Sequence, residues 1–155
     1  MSLTSLKRVT RELEELIPLH KKIDISYDNN KIMLKIRNIN IIFSNTYPFN
    51  PPDIQINNSH YGNFIVCRSF RVNDLVNCQK EGSCLCCTSI IKNSRHLWSP
   101  ALGIKNIMIE IDRVNSIKRK VKYTIAISDI SKNITRKIKR DIPEDVENKL
   151  LEFLI

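Results

Sequence analysis

Between Ile23 and Phe43 the apolar residues fall on every second position in three short runs. Ile23, Ile25 and Tyr27 alternate with Asp24, Ser26 and Asp28. Ile32, Leu34 and Ile36 alternate with Lys31, Met33 and Lys35, and Ile39, Ile41 and Phe43 make the third set. A period of two is the pattern of strands with one buried and one wet face. The links between the runs are very short, and Asn29-Asn30 suits a hairpin turn. Parallel neighbours need a crossover of a dozen or more residues, so strands this close pair antiparallel, as a meander.

The flanking segments supply cover for the apolar face. Residues 2–17 read as an amphipathic helix, with Leu6, Val9, Leu13, Leu16 and Ile17 on one stripe and Pro18 at its end. Lys7, Arg8 and Arg11 lie on its outer side and read as a solvated face. After the meander comes Tyr47-Pro48-Phe49-Asn50-Pro51-Pro52. Its three prolines remove three backbone donors and fix φ, so it is a stiff irregular crossing. Ile54 and Ile56 then begin a fourth strand. A chain of 155 residues can bury a sizeable core in a single domain. The fold class expected is α+β: an N-terminal helix, an antiparallel meander of about four strands, and helices packed on one side.

Composition narrows the chemistry. Five cysteines is an odd number, and four of them fall between Cys78 and Cys87. Odd and clustered thiols point to a reducing, intracellular setting (cytoplasm or nucleus) and to catalysis or metal rather than a disulfide framework. No run is long and apolar enough to span a membrane, and the N-terminus lacks a signal-peptide pattern. The formal charge of +9 favours acidic partners. Nucleic acid is not expected among them, because the basic residues lack the interleaved aromatics of a stacking platform. The abundance of Ile, Asn and Lys is the bias an AT-rich genome produces.

The segment from Cys84 to Ile111 carries the strongest functional signal. A cysteine cluster leads through a polar loop to Trp98, the single tryptophan. Ser99 is a good N-cap and Pro100 suits the first helical position. Ile104, Ile107, Met108, Ile111 and Val114 then recur at helical spacing. A thiol on an irregular segment ahead of a helix is a reactive-site layout, although a free cysteine also serves as a small buried hydrophobe.

A helix, a meander, the Tyr47–Pro52 crossing, a cysteine loop and Trp98-Ser99-Pro100-Ala101-Leu102, in that order, resemble the ubiquitin-conjugating enzymes. The resemblance covers residues 1 to about 115 and implies an acyl relay. A thiolate takes the modifier's C-terminal carbonyl from the activating enzyme's thioester, and a lysine amine then attacks the new thioester. Sulfur suits both steps as nucleophile and leaving group. Cys87-Thr88-Ser89-Ile90-Ile91 best fits the family's nucleophile segment; Cys86 is the nearest competitor and Cys84 the third. The family's oxyanion amide is an asparagine in a His-Pro-Asn motif. His60-Tyr61-Gly62-Asn63-Phe64 is a disturbed version of it, making Asn63 the candidate and Asn77 the alternative, while His60 reads as a packing or hydrogen-bonding histidine. Residues 64–83 stand as an insertion between Asn63 and Cys87.

The implied partners are ubiquitin or a ubiquitin-like protein, an activating enzyme reached through the basic first helix, a ligase facing Phe49 and the loop near Trp98, and protein substrates. No cofactor is expected. A non-catalytic binding module of the same fold is the competing class. A third is a zinc-stabilised domain using Cys67, Cys78, Cys84, Cys86 and Cys87 with His60 and His96, although no pair of Cys-x-x-Cys units supports it. From about 117 the chain departs from the family. Val121, Tyr123, Ile125 and Ile127 alternate as a strand would, 130–139 fits either helix or strand, and Lys118 to Arg140 reads as a basic solvated surface. Asp141-Ile142-Pro143 opens a terminal helix with Val146, Leu150, Leu151 and Leu154 on its apolar side.

Overall fold

The computed structural model describes residues 3–19, 22–28, 31–66, 72, 75, 84–92 and 97–141, the side chains of 138–141 aside. The chain divides into two compact units, residues 1–117 and 118–155. The first holds α1 (Leu3–Leu16) with a 3-10 turn at Ile17–Leu19, then β1 (Ile23–Asp28), β2 (Lys31–Ile36), β3 (Ile39–Phe43), β4 (Asp53–Ile56), β5 (Ser59–His60) and the short α2 (Tyr61–Ile65). A long helix, α3 (Ile104–Asp141), starts in the first unit and continues into the second.

The meander forms as its alternation requires. Five strands lie in the order β1-β2-β3-β4-β5, each antiparallel to the next. The register aligns Ile25 with Leu34, Leu34 with Ile41 and Ile41 with Ile54, so the apolar positions form rows across one face. Ile32, Leu34, Ile36, Ile39, Ile41, Phe43, Ile54 and Ile56 are all buried there. Each such side chain contributes about 1.5–3 kcal/mol on burial. The cover stops short of the edge strand, where Ile25 and Tyr27 are exposed.

Short β5 and its turn extend the sheet beyond the fourth strand expected. Asn57 and Asn58 both take positive φ, 52° and 60°. Two such residues in succession make the primed turn that matches strand twist, and asparagine tolerates that conformation well. Asn38 fastens this turn to the neighbouring one: Asn57 N–H donates to the Asn38 carbonyl, and Asn38 Nδ2 donates to Asn57 Oδ1, both at 2.9 Å. The Asn-Asn signal is the same one that marks residues 29–30.

The helices bring two corrections. In α1 the buried face is Ser5, Val9, Glu12, Leu13 and Leu16, whereas Leu6 and Ile17 are exposed. Val9, Leu13 and Leu16 are buried as expected, and hydrogen bonding brings Ser5 and Glu12 to the same face. Ser5 Oγ donates to the Tyr47 carbonyl at 2.6 Å. The Glu12 carboxylate accepts from Tyr47 Oη at 2.7 Å, from Ile104 N at 2.8 Å and from Arg8 Nε. The second correction concerns the start of α3. Ser99 Oγ accepts from Ala101 N, and Leu102 N donates to the Ser99 carbonyl, which closes one isolated turn. The helix proper begins at Ile104 because Gly103 takes the N-cap place and Glu12 meets the first free N–H. Asn106 Oδ1 accepts the Gly103 N–H at 3.1 Å, as the third residue of a capping box does. A Cβ on residue 103 would stand 2.8 Å from the Glu12 carboxylate, so glycine is required by close approach.

The crossing is held from both sides. Its Tyr47–Pro48 peptide is cis. Trp98 Nε1 donates to the Pro48 carbonyl at 2.7 Å, while the Tyr47 ring packs edge-on against Phe43 with centroids 4.9 Å apart.

In the second unit residues 121–127 are helical, which overturns the strand expected there, and 130–139 is helical as well. In a helix that alternation splits into two sides, Val121 with Ile125 and Tyr123 with Ile127, and the sequence holds no Gly or Pro from Ile104 to Asp141. Propagating an existing helix adds one hydrogen bond per residue fixed, so nothing in the chain stops α3. Tyr123, Ile127, Ile130 and Ile134 are exposed. The terminal helix expected from Asp141 onward lies outside the described residues.

Glu12→Ala should lower stability by about 3 kcal/mol, since it leaves the buried Tyr47 hydroxyl and the Ile104 N–H without an acceptor. Glu12→Gln, which keeps one acceptor oxygen, should cost less. Urea unfolding followed by Trp98 fluorescence measures both; equal midpoints for wild type and Glu12→Ala would refute this role.

Candidate functional site

Residues 84–92 form the segment ahead of Trp98, and its first four residues make a tight turn. Cys87 N–H points at both the carbonyl and the sulfur of Cys84, each at 3.2 Å. Thr88 Oγ1 adds a bond to the Cys84 carbonyl at 3.3 Å. Leu85 is buried and anchors the turn, while Cys84, Cys86 and Cys87 are all partly exposed. The three sulfurs gather: Cys84 Sγ lies 2.6 Å from Cys86 Sγ and 2.9 Å from Cys87 Sγ, and the last two are 3.9 Å apart. Cys84-Leu85-Cys86-Cys87 is itself one Cys-x-x-Cys turn, a single unit rather than a pair.

A buried carboxylate fixes this segment to the scaffold. Glu110 sits on α3 with only 5% of its surface exposed. Its Oε1 accepts from Ser89 Oγ at 2.6 Å and from Tyr61 Oη at 2.7 Å, and its Oε2 accepts the Ile90 N–H at 2.9 Å. Ser89 Oγ in turn accepts the Lys92 N–H at 2.9 Å. One side chain thus ties together α2, the cysteine segment and α3. A sequence signal for it exists: Glu110 falls among Ile107, Ile111 and Val114 on the apolar face of its helix. Burial and the bond to Glu110 together push the Tyr61 phenol far above its ordinary range, so it stays a donor.

The sulfurs are electrostatically unequal. Burial alone would raise the Cys84 thiol, but the hydrogen bonds it receives from Cys86, Cys87 and their backbone outweigh it and bring Cys84 down to about 7. Cys86 is pushed up to about 11, first by its bond to Cys84 and then by burial. With all three protonated, Cys84 donates to Cys87. Once one proton leaves, that direction reverses and Cys84 is the acceptor. The cluster therefore holds one thiolate near neutral pH, stabilised by neighbouring S–H donors.

Other residues singled out in the sequence are placed differently. Asn63 is exposed on α2, and its amide donates to Ser59 Oγ at 3.5 Å. Among the described residues no hydrogen bond joins Asn63 to Cys87; the two segments meet instead through Tyr61, Glu110 and Ser89. His60 caps α2, its Nδ1 accepting the Gly62 N–H at 3.1 Å while Nε2 lies 3.1 Å from Asp53. Both ring nitrogens have local partners, as a hydrogen-bonding histidine requires. Asn77, Cys67, Cys78 and His96 lie outside the described residues.

Alkylation of Cys84 should rise with pH through a midpoint of about 7, as its thiolate forms, whereas Cys86 should lag. The double variant Cys86→Ala/Cys87→Ala removes both S–H donors and should move the Cys84 midpoint upward. Mass-resolved iodoacetamide labelling across pH reads this directly, and an unmoved midpoint would refute the shared-proton account.

Compared with models of protein families, with curated proteins and with solved structures, the chain matches none.

Proposed function

We propose that the chain is a ubiquitin-conjugating enzyme, carrying ubiquitin or a ubiquitin-like protein as a thioester on Cys87 and passing it to a lysine amine. The observation that carries this reading is the three-thiol turn, pinned through Ser89 and Ile90 to Glu110 and followed by Trp98 bonded to the crossing at Pro48. It supports a rigid, partly exposed nucleophile placed beside a stiff scaffold, which acyl transfer needs.

The cluster also supports a route for the proton. Cys84 thiolate, 2.9 Å away, accepts the proton of Cys87. The Cys87 sulfur attacks the carbonyl carbon of the activating enzyme's thioester, and the tetrahedral intermediate expels that enzyme's cysteine as thiolate, which recovers a proton. In the second step a lysine amine attacks the Cys87 thioester, loses its proton and releases the Cys87 thiolate. Asn63 is the proposed oxyanion donor. Its bond to Ser59 is at the long limit for a hydrogen bond, so releasing it costs little. Lys7 and Arg11, exposed on α1, are the proposed contact for the activating enzyme, and exposed Phe49 is the proposed contact for a ligase. Such chemistry requires reduced thiols and therefore a reducing compartment, cytoplasm or nucleus.

Incubation with activating enzyme, ATP and ubiquitin, resolved on reducing and non-reducing gels, tests this. A thiol-sensitive adduct should form and should vanish in Cys87→Ser. Loss in Cys86→Ser or Cys84→Ser alone would move the nucleophile, and no adduct with any modifier would leave a non-catalytic binder of the same fold. Asn63→Ala should slow discharge to lysine by about 10²-fold while leaving charging intact.

A further inference from the structure

Cys84, Cys86 and Cys87 present sulfurs that all lie within 4.8 Å of one another, and none is in a disulfide. We propose that these three sulfurs form a binding site for a single thiophilic d10 cation, with zinc its representative, and that ion and modifier compete for the same atoms. The competition rests on the acyl-carrier reading; the site itself does not.

The geometry favours one ion held by three ligands. A tetrahedral zinc with metal–sulfur bonds of about 2.3 Å sets its sulfurs about 3.8 Å apart. The Cys86–Cys87 edge, 3.9 Å, already has that length. The two Cys84 edges, 2.6 and 2.9 Å, must open by about 1 Å, which a rotation about the Cα–Cβ bond of Cys84 supplies. Buried Leu85 faces the core while its cysteine neighbours are partly exposed, so the sulfurs gather where an ion has access.

Two further features fit ligation. The Cys87 N–H lies 3.2 Å from Cys84 Sγ, within reach as an outer donor to a ligating sulfur, the kind that orients a thiolate and offsets its charge. Ser89 and Ile90, held by Glu110, keep the turn in place before any ion arrives. A disulfide is the rival product of crowded thiols, but it consumes two sulfurs and strands the third. A soft cation uses all three. Counted from the fully protonated cluster, hydrated zinc exchanges waters for three thiolates, three thiol protons pass to solvent, no electron moves, and the fourth position stays with water.

The probe is cobalt(II), added to the reduced full chain without oxygen and then displaced by zinc. One equivalent should produce thiolate-to-cobalt charge-transfer bands and the visible bands of tetrahedral coordination. Cys84→Ser, Cys86→Ser and Cys87→Ser should each weaken binding by about tenfold or more. The triple serine variant should show no such bands while keeping wild-type circular dichroism and Trp98 fluorescence. Bands that persist in the triple variant, or wild type without bands and with every thiol free to titrate, would overturn the site. Zinc-loaded protein should fail to charge and a chelator should restore charging. Cobalt bands without charging in chelator would sink the acyl-carrier reading and leave the site standing; charging without bands would do the reverse.

Discussion

The first unit depends on a carboxylate taken out of water. Glu12 is 7% exposed and has partners in three segments: Tyr47 of the crossing, Ile104 at the start of α3, and Arg8 on its own helix. A buried charge without partners costs several kcal/mol, so Glu12 is tolerable only where all three segments meet it. That condition makes it specific. Apolar burial would allow α1 to slide or rotate on the sheet, whereas a carboxylate that must reach a phenol, a helix N-terminus and a guanidinium admits one arrangement. The same demand explains why Gly103 carries no side chain and why α3 begins after the Ser99-Pro100 turn.

Glu110 repeats the device nearer to the chemistry. It too is a buried carboxylate on a helix face, and it too satisfies groups from separate segments, Tyr61, Ser89 and the Ile90 N–H. Glu12 orders the scaffold, and Glu110 transmits that order to the cysteine segment. The reactive turn sits on a loop, where backbone freedom is ordinarily greatest. Fixing it through the charged acceptor of a helix gives the thiols a stable position without enclosing them.

Within the turn, proximity itself creates reactivity. Three thiols this close cannot ionise independently, because each thiolate is solvated by its neighbours' S–H groups. One is held ionised near neutrality and another is held protonated. The same grouping that makes one sulfur a nucleophile makes all three a ligand set, so acyl transfer and metal binding are alternative uses of one arrangement.

The strands and their pairing were legible in the residues, since period-two alternation with very short links leaves only an antiparallel meander, and the Asn57-Asn58 turn carried its own signal. The thiol cluster was legible as a cluster, and Cys84 to Cys87 as a single Cys-x-x-Cys unit without a second to pair with it. Hydropathy placed Val9, Leu13 and Leu16 on the buried face of α1 but missed Ser5 and Glu12, cap chemistry misplaced the start of α3, and alternation misread 121–127. In the first two cases a distant polar partner overrode local preference, Ser5 and Glu12 reaching Tyr47 and Ile104. In the third, period-two alternation reads as a strand, and the continuing helix overrode it. The sequence determined what short-range periodicity and turn chemistry can determine. Tertiary structure decided what the buried carboxylates meet, Tyr47 and Ile104 for Glu12 and Tyr61, Ser89 and Ile90 for Glu110, because a buried charge depends on partners that chain proximity does not provide.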